Sequence, residues 1–127
     1  MIRHRDWQRR LTVYLSEVSQ AAYKPGDHDP VMFVAGAVLA MTGEDIAADL
    51  RGYRSEGGLA KRIKALGGLE GWLDRHLIRA PRPRPGDVVL LQNGGLGVWQ
   101  GSRAYGIAGD GWCLTVDSAM PEKVWSV

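Results

Sequence analysis

Cysteine is almost missing: Cys113 is the only one in 127 residues, so no internal disulfide can form and no thiolate zinc cluster is available. Long hydrophobic runs are missing too. The most apolar stretch, residues 30–41, has 12 residues, well short of the roughly 20 that a membrane-spanning helix needs, so it reads as a core helix. The first residues, Met1-Ile2-Arg3-His4-Arg5-Asp6-Trp7-Gln8-Arg9-Arg10, carry charge but no following apolar core and no small-residue cleavage site, so no signal peptide is expected. Nor is there an excess of one charge. Sixteen basic and 14 acidic residues leave a formal +2, and the basic ones are scattered rather than gathered on one face, which argues against a nucleic-acid partner. Synthesis in a reducing cytoplasm fits all of this.

What is present is an ordinary globular balance, 45% hydrophobic against 24% charged, in a chain long enough for one domain with one core. Over residues 5–22, Trp7, Leu11, Tyr14, Leu15, Val18 and Ala22 recur at spacings of three and four, which predicts a helix packing one face. Pro25-Gly26 breaks it, and Asp29 followed by Pro30 predicts the start of the next, because an Asp oxygen can accept from first-turn N–H groups and proline suits the first helical position. Gly43 ends that helix, and Glu44-Asp45 precede a short helical piece carrying Ile46, Ala47 and Leu50. Leu59, Ile63 and Leu66 predict another helix with Ser55 as its cap and Gly67-Gly68 as its stop, followed by an amphipathic turn or two with Leu69, Trp72, Leu73 and Leu77.

The texture then changes. The prolines at 81, 83 and 85 make residues 79–85 an extended, stiff connector. Short β-type runs follow at residues 88–91, 96–100, 103–107, 112–116 and 123–127, punctuated by Asn93-Gly94-Gly95, Gly101-Ser102 and Gly109-Asp110-Gly111. The expected architecture is α+β: a helical part over about residues 1–78, the connector, and a small antiparallel sheet over residues 86–127, with the apolar helix buried against one sheet face.

Two separated segments, Pro85-Gly86-Asp87-Val88-Val89 and Gly95-Leu96-Gly97-Val98-Trp99-Gln100-Gly101, resemble the turn and two strands of papain-like cell-wall peptidases of the NlpC type. In that family an Asp-Cys pair opens a core helix, a Pro-Gly-Asp turn leads into the sheet, and a His begins a strand. The whole chain is also similar to small proteins of phage and prophage tail gene clusters, through Asp6-Trp7, Arg10-Leu11, His28-Asp29, Ala35-Gly36-Ala37-Val38, Met41-Thr42-Gly43 and Trp125. The resemblance implies one papain-like domain over residues 1–127. It also puts Pro30 at the nucleophile's position and Gly95 at the general base's. Neither can act, since cysteine hydrolysis needs a thiolate beside an imidazole.

The remaining candidates each have a plain structural alternative. His28, between Asp27 and Asp29, could transfer a proton or form half of a metal site, but a capping Asp29 with a bracing His28 is preferred. Asp87 is read first as a turn residue, and Cys113 as a small core hydrophobe. The loop around Gly95 lies between strands and lacks a lysine, so it is a hairpin rather than a phosphate site. Trp99 and Trp125 are the candidates for a partner surface, with core packing the preferred role for any single tryptophan, and Asp27, His28, Asp29, Asp87 and Trp99 are the candidate cleft residues. No cofactor is implied. The expected function is a non-catalytic structural or assembly component of a phage or prophage tail, at its tip, contacting other tail proteins. The alternatives are a peptidoglycan amide hydrolase with a non-standard site and a cell-wall-binding module.

Overall fold

The computed structural model describes residues 1–107 and 114–127, the stretch 114–117 by its backbone. Among the described residues, four helices precede the sheet: α1 (Trp7–Val18), α2 (Pro30–Thr42), α3 (Glu56–Ala65) and α4 (Gly68–His76). Six strands follow: β1 (Ile78–Ala80), β2 (Val88–Leu90), β3 (Leu96–Gln100), β4 (Arg103–Ile107), β5 (Leu114–Asp117) and β6 (Lys123–Ser126). The α+β class read from the sequence is the class observed. Among the described residues, no helix is long and apolar enough to cross a membrane.

The centre is α2. Nine of its 13 residues are buried, so it has no polar face and its type had to be read from its ends. Both ends are as the sequence implies. The Asp29 Oδ1 accepts from the Met32 N–H at 2.8 Å, Pro30 occupies the first turn, and Gly43 closes the helix at φ +80°. Helix α1 lies against it through Leu11 and Leu15, and the two approach closely where Tyr14 crosses Gly36. A Cβ at Gly36 would overlap the Tyr14 ring and hydroxyl, and that hydroxyl donates to the Phe33 carbonyl at 2.7 Å. The Ser55 Oγ caps α3 by accepting from the Gly58 N–H at 3.0 Å.

The sheet is antiparallel throughout, in the order β1-β6-β2-β3-β4-β5. Side chains alternate faces along a strand, and the burial follows that period. Val88, Leu96, Val98 and Trp125 join the main core with α2, whereas Val89, Leu91, Trp99, Ala104 and Val124 form a second cluster.

Three expectations change. The first helix ends at Val18 rather than residue 22, because Ser19 and Gln20 turn the chain away. Residues 46–50 form turns rather than a helical piece, although Ile46, Ala47 and Leu50 are buried as expected. The stiff connector begins as strand: Arg79 and Ala80 pair with Trp125 and Val124 of β6, so only its proline segment is free of the sheet. The turn at residues 109–111, the first part of the strand expected over residues 112–116, and Cys113 lie outside the described residues.

Candidate functional site

The loop before α2 is shaped by Asp29, which is 1% exposed. Residues 24–28 close on themselves through reciprocal backbone bonds, Lys24 N–H to the His28 carbonyl at 2.9 Å and His28 N–H to the Lys24 carbonyl at 2.8 Å. Gly26 sits in this loop at φ +90°, where a Cβ would overlap the Tyr53 carbonyl, so glycine is required on both counts. Asp29 then ties three segments together. Its Oδ1 caps α2, and its Oδ2 accepts from the Gly26 N–H at 2.8 Å and the Tyr53 hydroxyl at 2.5 Å. Burial, and then the carboxylate beside it, push the Tyr53 phenol well above its usual value. Tyr23 makes a second tie to the same loop by donating to Glu56, and that bond pushes its own phenol up to about 12.

His28 is 8% exposed, and its Nε2 is buried with no hydrogen-bond partner among the described residues. Burial lowers its pKa, and the attraction of Asp29 only partly offsets this. Asp27 points away into water and pairs with Lys24 at 3.1 Å. The three consecutive polar residues therefore have separate tasks, and their polar atoms do not converge. Among the described residues, no group of three or more His, Cys, Asp or Glu side chains could hold a metal ion.

Pro30 is half-buried at the head of α2. Gly95 lies in the β2–β3 turn, its N–H donating to the Asn93 Oδ1 at 2.9 Å and its carbonyl accepting from the Leu91 N–H at 2.7 Å. A side chain at Gly95 would meet the Asn93 oxygen at 3.1 Å. A hollow of about 510 Å³ opens beside the start of α2, lined by Lys24, Pro25, Gly26, Asp27, Gly52, Tyr53 and Arg54. Neither Pro30 nor Gly95 lines it.

Asp87 stands elsewhere. It is 1% exposed; its Oδ1 accepts from Arg3 at 3.1 Å and the Val127 N–H at 3.2 Å, and its Oδ2 from the Arg84 N–H at 2.9 Å. Its backbone carbonyl accepts from the Trp99 N–H at 2.8 Å. It holds a turn, as the plain reading expects, and also ties the two ends of the described chain.

Trp99 and Trp125 take the core-packing role rather than a place on a partner surface. Trp99 is 5% exposed and sits in the second cluster, and Trp125 is fully buried. The Trp125 indole N–H donates to the Asp74 Oδ1 at 2.8 Å while Arg79 lies over its ring. Arg79 first, and then that indole, hold Asp74 down to about 2. A buried indole needs such an acceptor.

The sequence reading missed Tyr53 and Arg54. The Gly52-Tyr53-Arg54 loop reaches the α2 start across 24 residues of chain, and nothing local marks that contact. Around the hollow, the Arg54 side chain is exposed and unpaired among the described residues, while Lys24 and Asp27 pair only in water. The Tyr53 hydroxyl and both Asp29 oxygens are already engaged. The arrangement can hold a polar partner group by charge, through Arg54 and the exposed Lys24–Asp27 pair.

Neither a curated protein nor a solved structure matches the chain. A family model described as a domain of unknown function, DUF6950, matches residues 2–127. With essentially its whole length inside that match, the chain belongs to the DUF6950 family.

Proposed function

We propose that this chain is a non-catalytic structural or assembly component of a phage or prophage tail, at the tail tip, built on a papain-like frame of the NlpC type. The tail assignment rests on the sequence resemblance. The loss of catalysis rests on one observation: where that frame would carry Asp-Cys, Asp29 has both oxygens bonded and Pro30 offers no attacking atom. The polar hollow beside it is then a docking place for a partner's side chains rather than for a scissile bond. Purified tails and assembly intermediates test this, and absence of the protein from both overturns it. Pro30→Cys is expected to restore no release of peptides from purified cell wall, because Gly95 supplies no imidazole to activate a thiol.

A second reading is favoured by the free Nε2 of His28: a peptidoglycan amide hydrolase using water with His28, Asp27, Asp29 or Asp87. Peptide release that disappears in His28→Ala would support it, and no release in metal-supplemented buffer would refute it. Co-sedimentation with cell wall without cleavage would instead point to a cell-wall-binding module.

A further inference from the structure

The outward stripe of α1 carries charges that no other described residue answers. Arg9, Val13 and Glu17 stand four residues apart and so share one helix face. All three are exposed, Val13 at 46%. Arg9 and Glu17 are separated by about 12 Å of helix, too far to pair with each other. Among the described residues, neither side chain has a hydrogen-bond or ion-pair partner. Arg10, by contrast, is held by Asp6 at 2.7 Å. The stripe itself lines an open hollow of about 400 Å³ together with Asp6, Arg10, Tyr14 and Ala40, and Leu39 of α2 is 41% exposed.

The charges are opposite at equal steps on either side of Val13. We propose that this face of α1 docks on the same face of a second copy, antiparallel, with the two-fold axis passing through Val13. Each Arg9 then meets the other copy's Glu17, the two valines touch at the axis, and Arg10 falls opposite the neutral Ser16. A foreign segment of one charge would satisfy one end of the stripe and oppose the other, whereas a second copy satisfies both, as an isologous contact must. A helix of 12 residues is about 18 Å long and offers less surface than a standard stable interface. The association is therefore weak and concentration-dependent.

Sedimentation velocity between about 10 μM and about 1 mM reads it directly. The wild-type protein should shift from monomer toward dimer. Arg9→Glu and Glu17→Arg each turn two attractions into two repulsions and should weaken self-association about tenfold. The double variant should recover it, and mixing the two single variants should form the complementary heterodimer. Unchanged thermal unfolding of each variant shows that the fold is intact. A wild-type protein that stays monomeric throughout, single variants that associate as well as wild type, or a double variant that fails to recover would each overturn the proposal.

Discussion

The molecule buries two aspartates before two of its elements, and it treats them differently. Asp29, ahead of α2, accepts only from neutral donors: two backbone N–H groups and a phenol. Asp87, ahead of β2, shares its carboxylate between two backbone N–H groups and the Arg3 guanidinium. Each is 1% exposed, yet the first organises a loop and a helix start, while the second joins residues 84 positions apart through an ion pair. The lesson is that two equally buried carboxylates can be satisfied in different ways, one by neutral donors alone and the other partly by an opposite charge.

The largest effect is expected from Asp29→Ala. It leaves the Met32 and Gly26 N–H groups and the Tyr53 hydroxyl without an acceptor, and should lower unfolding free energy by about 3 kcal/mol or more in urea titration. Asp87→Ala should cost less, about 2 kcal/mol, because the Arg3 side chain is 20% exposed and can turn to water. A double-mutant cycle with Arg3→Met should show coupling between those two positions. If Asp87→Ala proved the worse of the two, the ion pair would outrank the helix cap and the contrast would reverse.

His28 sharpens the comparison by pH. Burial depresses its folded pKa below the ordinary 6.5, so as pH falls the unfolded chain takes up the proton first. Stability from this group is complete above about 6.5 and declines as pH drops from there toward the depressed folded value. Urea midpoints measured from pH 7.5 to 5.5 should show a flatter slope for His28→Gln than for wild type. An unchanged slope would mean that the Asp29 charge cancels the effect of burial. The smallest effect is expected from Ser55→Ala, which removes a cap with no cross-links attached: about 1 kcal/mol by the same titration.

These contrasts also mark how far the sequence could be read. Local chemistry was legible: Asp29-Pro30 and Gly43 bound α2, Ser55 caps α3, and the glycine turns separate β2, β3 and β4. Contacts across the chain were not. Nothing in Ile78-Arg79-Ala80 announces that its partner lies over 40 residues later in β6, and the prolines just after it suggested a connector instead. Which cluster Trp99 and Trp125 each join was not legible either, because that depends on the sheet face an indole meets, and the face follows from strand order rather than spacing. In the candidate site, Asp27, His28 and Asp29 were found as a motif. The sequence could not show that Asp29's second oxygen belongs to Tyr53, since a loop-to-loop hydrogen bond has no periodicity.

The position of β6 has a consequence for the order in which the protein can assemble. Residues 123–126 fill the gap between β1 and β2, so a nascent chain leaving the ribosome holds these two strands unbridged until β6 emerges. The helices and the β2-to-β4 meander precede β6 in the chain and can form before it, but the sheet knits only once it arrives. Any partner or chaperone that meets the chain earlier meets two open strand edges.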